Sequence, residues 1–265
     1  MLDLTNIFVK EYNEIMRQIT IDKIAVLIGK DLEEATTISA DIVTQTVKDN
    51  PKAVITYATG NSQILVYEKL VKSGVDFSET TAFHLDEYYP CGTGGDYPYG
   101  FVNYLRQRVF EPLNIANKFE LNGLAQSSEA EAKRYEDLLN SHPRDLTILG
   151  IGPWSAENER GCHIAFNESG APFESRVNVT ELDPVTVARD RQERGQDSPD
   201  KALTQGLANI MESKKIILNA FGEKYAAPIY QTLKGKIGVE RPSTILRTQP
   251  EKVTIVLDEE SARLL

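Results

Sequence analysis

Short apolar segments alternate along this chain with longer segments whose apolar residues recur every three or four positions. KIAVLIG (Lys23–Gly29) and AVITYA (Ala53–Ala58) are almost continuously apolar, which is typical of strands buried on both faces. Between them, Asp31–Lys48 places apolar side chains along one face of a helix, and the spacing over Ile64–Val71 predicts another helix that ends near Gly74. The N-terminal part of the chain therefore predicts two β–α units.

The same alternation continues towards the C-terminal end. Further strands are predicted at Thr80–Leu85, Leu146–Gly152, Lys215–Phe221 and Val253–Leu257, and helices around Tyr99–Phe110, near Ser128–Asn140 and through Lys234. Because strands that alternate with helices form a parallel sheet covered on both faces, the expected fold is α/β, a Rossmann-like three-layer sandwich with a mostly parallel central sheet. No linker interrupts the pattern, so we expect one domain over residues 1–265, with Phe173–Arg194 as a candidate lid.

Composition narrows the class of function. The 265 residues include 29 basic and 39 acidic ones, a net charge of −10, which argues against nucleic acid as a partner because such binding needs a basic surface. The chain has no run of 18 apolar residues and its first residues lack a signal-peptide pattern, so we expect no membrane partner and a cytoplasmic location. Two cysteines and three histidines without ligand spacing predict no metal site, and we expect no cofactor.

Three segments each lie at the end of a predicted strand or directly after it. They are Thr59–Ser62, Asp86–Glu87 and the Gly150–Gly152 loop. In a parallel sheet the ligand binds beyond the carboxyl ends of the strands. The three segments are therefore expected to open onto one site.

The segment Thr59, Gly60, Asn61, Ser62 lies where a strand turns into a helix. Glycine lets the backbone approach a ligand closely, and free N–H groups at a helix start attract an anion, so a phosphate site is one interpretation. The other is that Asn61 or Ser62 merely caps the helix. The segment matches neither the P-loop nor the dinucleotide fingerprint, which argues against ATP and NAD as ligands.

Two further segments carry groups suited to proton transfer. Asp86 and Glu87 end a strand with side chains on opposite sides, so one can enter the cleft as a general base while the other contacts the scaffold. His163 and Glu168 are five residues apart, a distance that a bent loop closes, and a carboxylate partner suits an imidazole to proton exchange. The alternatives are solvated loop acids and a histidine with a structural role.

These segments, in this order, resemble the glucosamine-6-phosphate deaminase/isomerase family. Besides the phosphate segment, the match rests on LDEY (Leu85–Tyr88), HIAFNE (His163–Glu168) and ALTQGL (Ala202–Leu207), and it extends roughly from Ile24 to Glu260. The 6-phosphogluconolactonases share the fold, but Tyr88 and the HIAFNE segment stand where those enzymes typically carry other residues. The resemblance favours the amino-sugar branch.

The resemblance implies an enzyme that converts glucosamine-6-phosphate, or galactosamine-6-phosphate, to the ketose 6-phosphate plus ammonia. Asp86 would move a proton between C2 and C1, and His163, partnered by Glu168, would assist opening of the sugar ring. The Thr59–Ser62 segment would hold the phosphate together with Lys224 and Arg191, with Arg189 as the alternative to Arg191. Three other functions stay open: an isomerase without deamination, a 6-phosphogluconolactonase, and a catalytically silent sugar-phosphate sensor.

The chain departs from the family pattern beside His163. The family usually carries an aspartate where Gly161 stands here, and Cys162 replaces a glycine. An apparent insertion at 153–160 contains Glu157 and Glu159, and our hypothesis is that one of them folds back to supply the missing carboxylate. The family's activator-binding basic pair falls near 178 and 180, where no basic residue stands, so the resemblance allows a homo-oligomer or a monomer as readily as a regulated hexamer.

Overall fold

The computed structural model describes residues 17–265. The strands are β1 Arg17–Ile21, β2 Ile24–Gly29, β3 Val54–Tyr57, β4 Thr81–His84, β5 Asp86–Tyr88, β6 Asn117–Phe119, β7 Leu146–Leu149, β8 Trp154–Ser155, β9 Arg160–Gly161, β10 Asn178–Glu181, β11 Lys201–Thr204, β12 Lys215–Ala220 and β13 Val253–Asp258. Residues 1–16, in which no signal peptide is expected, lie outside the described residues.

The α-helices are α1 Leu32–Asp49, α2 Ile64–Lys72, α3 Phe101–Leu105, α4 Ser128–Ser141, α5 Pro184–Arg194, α6 Leu207–Met211 and α7 Ala226–Lys234. A π-helical turn at Arg106–Phe110 continues α3, and 3₁₀ turns at Asn61–Gln63 and Glu223–Tyr225 precede α2 and α7; two more occupy Pro242–Thr248 and Pro250–Lys252. Each helix and each buried strand that the sequence predicted is present, with its ends shifted by a few residues.

Eight strands form the central sheet, in the order β1-β2-β13-β12-β7-β3-β4-β6. Every neighbouring pair is parallel except β1 with β2, which are antiparallel at one edge. This confirms the expected α/β class with a mostly parallel central sheet.

Apolar side chains cover both faces of this sheet. On one face α1 and α2 contribute Val43 and Val66 to a buried cluster that includes Ile55 of β3. On the other face α6 and α7 contribute Ile210 and Ile229 to a second cluster. Burial of these apolar surfaces from two sides stabilises the three-layer arrangement, because each strand removes both of its faces from water.

A smaller antiparallel sheet, in the order β10-β11-β5, lies beside the central one and was not predicted from the sequence. Only Leu85 separates β4 from β5, so the chain leaves the central sheet at that residue and Asp86 begins a strand of the second sheet. The candidate lid Phe173–Arg194 contains β10 and α5. Its movement as a lid stays a prediction. Within residues 17–265, no helix combines the length and the apolarity that a membrane span requires.

Candidate active site

A cleft opens beyond the carboxyl ends of β3, β4, β7 and β12, where parallel α/β sheets bind ligands. The residues that line it are Ala58, Thr59, Gly60, Asn61, Ser62, Gln63, Leu85, Asp86, Phe101, Gly150, Ile151, Gly152, His163, Ala165, Phe166, Arg189, Glu193, Arg194, Lys224 and Tyr225. All three strand-end segments that the sequence singled out therefore reach this cleft.

The Thr59–Ser62 segment forms a turn whose glycine has a positive φ. Gly60 has a φ of 121°, a backbone conformation that side chains rarely permit, and nothing lies within 4 Å of the position that a β-carbon would take there. Two tyrosines hold the turn from behind: the hydroxyl of Tyr67 donates to the carbonyl of Ala58 at 2.6 Å, and that of Tyr104 to the carbonyl of Gly60 at 3.1 Å. The turn thus keeps its open side towards the cleft.

Gln63 ties this turn to two neighbouring strands. Its side-chain nitrogen donates to the carbonyl of Leu149 at the end of β7, at 3.1 Å, and its side-chain oxygen accepts from Asn219 of β12 at 2.8 Å. Gln63 and Asn219 are both fully buried. Because a buried amide is costly when left unpaired, these bonds fix the relative positions of three strand ends that line the cleft.

Asp86 lines the cleft and is 5% exposed. Burial and the neighbouring Glu87 raise the pKa of this carboxyl from 3.8 to about 8, although the positive charge of Arg194 opposes the rise. A carboxyl whose pKa lies near neutrality can both accept and return a proton at ordinary pH. The environment of Asp86 therefore suits a general base.

Glu87 points the opposite way, into the scaffold. Its carboxylate accepts hydrogen bonds from the backbone N–H groups of Tyr88 at 2.9 Å, Phe101 at 2.9 Å and Val102 at 2.7 Å. The last two belong to the first turn of α3, whose N–H groups have no partner within the helix. The two neighbouring acids thus take the two environments that strand alternation predicts.

His163 and Glu168 form a hydrogen-bonded pair. Nδ1 of His163 lies 2.9 Å from Oε2 of Glu168, and both side chains are largely buried. Burial would raise the pKa of Glu168, but the charge of His163 and the hydrogen bond to it outweigh burial, so the pKa of Glu168 is lowered. This arrangement orients the imidazole, with its other nitrogen on the side of Gly152 at the cleft.

The loop that carries this pair is braced on two sides. The backbone N–H of Gly152 donates to the carbonyl of His163 at 2.8 Å. The side-chain amide of Asn167 donates to the carbonyls of Ile164 at 3.0 Å and Gln205 at 2.9 Å. The N–H of Gly152 is therefore already engaged within the loop.

The placement expected for Arg191 is wrong. Arg191 does not line the cleft, and its Nε donates at 3.5 Å to the carbonyl of Ser198. Arg189, the alternative, does line it. Arg189 and Arg191 lie two residues apart on an α-helix and point in nearly opposite directions, and Arg189 is the one whose side chain lines the cleft.

Lys224 and Arg194 add two further positive charges to the lining. Lys224 lies in the turn after β12, with Nζ 5.1 Å from the ring centre of Tyr225. The guanidinium of Arg194 lies 4.7 Å from the ring centre of Phe101, and its buried Nε has no hydrogen-bond partner among residues 17–265. Together with Arg189 they make the cleft locally positive on an acidic protein, which suits an anionic ligand.

Neither glutamate of the 153–160 segment replaces the carboxylate that the family usually has beside its histidine. Glu157 and Glu159 are exposed in the turn between β8 and β9, and within the described part of the chain neither forms a hydrogen bond or ion pair. At Gly161 the backbone N–H donates to Oγ of Ser169 at 2.7 Å. Among residues 17–265, His163 therefore has Glu168 as its one carboxylate partner.

Comparison with known proteins places the chain among its relatives. It is 39% identical over 210 residues to the glucosamine-6-phosphate deaminase of Listeria monocytogenes serotype 4b (strain CLIP80459), a match that spans 78% of this chain and 86% of the relative. It is 37% identical over 210 residues to the deaminase of the same name from Streptococcus pneumoniae (strain 70585), over 78% and 85% of the two chains. The chain belongs to the glucosamine-6-phosphate deaminase family.

Solved structures agree with this membership of the deaminase family. A protein described as a monomeric glucosamine-6-phosphate deaminase superposes with a TM-score of 0.82 at 32% identity, over 91% of this chain and 99% of its own. The 6-phosphogluconolactonase of Trypanosoma brucei superposes with a TM-score of 0.70 at 16% identity, over 91% and 98% of the two chains, which is a likeness in fold alone. No family model matches the chain.

Sequence reasoning missed three groups of this deaminase-family site: Arg194, Phe101 and Tyr104. A signal for the directions of the arginines on α5 was available, because Asp183 followed by Pro184 is a typical helix start and Asp183 does cap α5. A helix from that point would have separated the directions of Arg189 and Arg191. Phe101 and Tyr104 depend on how α3 packs against the cleft, which no local pattern indicates.

Proposed function

We propose that this protein converts glucosamine-6-phosphate to the ketose 6-phosphate with release of ammonia. The single observation that carries the proposal is that the Thr59–Ser62 turn, Asp86 and His163 all line one cleft in a chain of this family. Substrate phosphate and reacting carbons are separated by the length of a hexose chain. A site for such a substrate must therefore offer an anion site and a proton-transfer site in one crevice.

Phosphate binding is assigned to the Thr59–Ser62 turn, Lys224 and Arg189. The turn offers backbone N–H groups at the start of a helix, and the two cations supply charge. Held at this end, the substrate uses binding energy of a non-reacting group to position C1 and C2.

Ring opening is assigned to His163, oriented by Glu168. The imidazole takes the proton of the C1 hydroxyl as the bond between C1 and the ring oxygen breaks, and the imidazolium then gives that proton to the ring oxygen. The hydrogen bond at 2.9 Å between His163 and Glu168 favours one ring orientation and stabilises the imidazolium that forms. Because the site lacks the family's usual aspartate, ring opening is assigned to His163 and Glu168 alone.

Proton transfer between carbons is assigned to Asp86. Its carboxylate removes the proton from C2, which leaves an enolate on the C1 oxygen. The resulting carboxylic acid returns a proton to C1 as C2 and nitrogen form a double bond, and a proton passes from that nitrogen to the C1 oxygen. Water then adds to the imine carbon at C2 and ammonia leaves, so one water is consumed for each ammonia released. The raised pKa of Asp86 supports this role, because the acid form is readily reached after the first step.

The test is to incubate the purified full chain with glucosamine-6-phosphate and to measure ammonia and ketose 6-phosphate separately. Equal amounts of both are expected. Formation of a ketose phosphate from an aldose phosphate, without ammonia, would show that the reaction is simple isomerisation and not deamination. Binding without either product would make the protein a sensor of sugar phosphates.

We also propose a cytoplasmic location. Its support is that Cys91 and Cys162 are both free and buried, as suits a reducing compartment. A homo-oligomer stays a prediction, and light scattering on the purified chain decides between it and a monomer.

A further inference from the structure

Helix α5 contacts the small sheet through a carboxylate that is almost fully buried. Asp190 is 1% exposed, and both of its oxygens are engaged. Oδ2 accepts from the hydroxyl of Tyr88 at 2.7 Å, and Oδ1 accepts from Nε and Nη2 of Arg189 at 2.9 and 2.7 Å. A buried charge is retained at little cost only when it is paired and hydrogen-bonded, and Asp190 meets both conditions.

The bonds to Asp190 use one edge of the Arg189 guanidinium. Nη1 forms no hydrogen bond within the described part of the chain, and Arg189 lines the same cleft as the Thr59–Ser62 turn. A guanidinium is planar and rigid, so fixing Nε and Nη2 also fixes the direction of the opposite edge. That free edge is available for a bidentate contact with a phosphate.

We propose that Asp190 is a positioning residue that orients Arg189 towards the substrate phosphate, and that the hydroxyl of Tyr88 holds Asp190 in place. This inference rests on the proposed function, in which Arg189 is a phosphate ligand. Tyr88 follows the pair Asp86–Glu87 along β5, so the same short strand carries the base and anchors the arginine at the other end of the substrate.

Arg194 provides a comparison within the same cleft, because it is an arginine without a carboxylate partner like Asp190. It lies on the same helix and lines the same cleft, but its contact is the ring of Phe101, and no carboxylate forms an ion pair with it among residues 17–265. Arg189 has a side chain that is 34% exposed, and without Asp190 it would be free to adopt other rotamers. Ordering it on binding would then weaken affinity.

The test uses Asp190→Asn, Tyr88→Phe and Arg189→Gln in the full chain. The ligand is glucitol 6-phosphate, which carries the phosphate but has no carbonyl to react, and its Kd is measured by calorimetry beside kcat and KM for glucosamine-6-phosphate. Asp190→Asn is expected to raise Kd and KM about tenfold and to change kcat by less than about twofold. Tyr88→Phe is expected to act in the same direction and less strongly.

A double-mutant cycle separates positioning from a general structural effect. In the Arg189→Gln background, Asp190→Asn and Tyr88→Phe are each expected to leave Kd unchanged. Asp183→Asn is the matched control, since it removes the same charge from the same helix, keeps an N-cap side chain and does not touch Arg189. Its Kd is expected to equal that of the wild type.

Additive effects on Kd would overturn the proposal, as would a fall in kcat at unchanged Kd. If Asp190→Asn does not fold, the cycle with Tyr88→Phe gives the same decision. If the wild type releases no ammonia but the coupling in Kd persists, the positioning role stands and the proposed reaction fails.

Discussion

The imidazole ring of His163 lies against the α-carbon of Gly152. A β-carbon added at Gly152 would fall well inside van der Waals distance of three ring atoms of His163. The glycine therefore gives the ring its place in the cleft, where a larger residue would force the ring out of its hydrogen bond with Glu168.

Gly152→Ala is expected to lower kcat for glucosamine-6-phosphate by a factor on the order of 10² while the protein stays folded, because it displaces a proton-transfer group. Gly150→Ala is the matched control. The β-carbon it adds meets nothing nearer than the side-chain nitrogen of Gln63, at 3.7 Å, which is an ordinary contact. Steady-state kinetics and circular dichroism of both variants check this, and equal losses in the two would contradict the account of His163.

The two arginines on opposite sides of α5 give a second comparison. Arg189→Gln is expected to raise KM by a factor on the order of tenfold to a hundredfold, because it removes a charged phosphate ligand. Arg191→Gln removes the same charge from a side chain outside the cleft and is expected to change KM by less than about twofold. A larger rise in KM for Arg191→Gln than for Arg189→Gln would assign the phosphate contact to Arg191, as predicted from the sequence.

Ring opening can be tested apart from the later steps. His163→Gln is expected to lower kcat for the ring-closed substrate by a factor on the order of 10², since the general acid–base group is lost. An open-chain analogue bypasses that step, so its turnover is expected to fall much less. Equal slowing of both substrates, measured by ketose phosphate release, would remove His163 from ring opening.

The raised pKa of Asp86 has a consequence for stability. The folded state binds a proton there up to about pH 8, whereas the unfolded state releases it near the ordinary value of 3.8. Between those values the folded state holds more protons, so the stability contributed by protonation is present at low pH and is lost as the pH rises to about 8. Asn does not titrate. Asp86→Asn is therefore expected to become more stable relative to the wild type by a few kcal/mol, as an order of magnitude, between pH 5 and pH 8.

Urea unfolding at the two pH values measures this difference. Asp76→Asn is the control, because Asp76 is fully exposed and hydrogen bonds from Ser78 lower its pKa, so it stays ionised throughout that window. A difference between Asp86→Asn and the wild type that is independent of pH would contradict the burial argument.

Much of the central sheet follows from local pattern. The nearly continuous apolar segments at Ala53–Ala58 and Lys215–Phe221 can be strands only if both faces are covered, and the structure covers both. The opposite roles of Asp86 and Glu87 follow from strand alternation in the same way. The small sheet does not follow, because its strands have three or four residues each and β5 pairs with a segment more than a hundred residues away.

The parts of the site that the sequence did not yield depend on helix direction and long-range packing. No local pattern distinguishes Arg189 from Arg191, and only the packing of α5 against the rest of the chain decides which of them lines the cleft. The pairing of Asp190 with Tyr88 joins residues 102 positions apart, and no motif predicts it.

The most direct test is to compare wild type and Asp86→Asn for ammonia and ketose 6-phosphate released from glucosamine-6-phosphate, with the Kd for glucitol 6-phosphate measured on both. The account predicts that the variant loses at least about a thousandfold in turnover and keeps its Kd within about threefold, because the base is removed and the phosphate site is not. Turnover that survives in Asp86→Asn, or a wild type that binds glucitol 6-phosphate no better than glucitol, would contradict it.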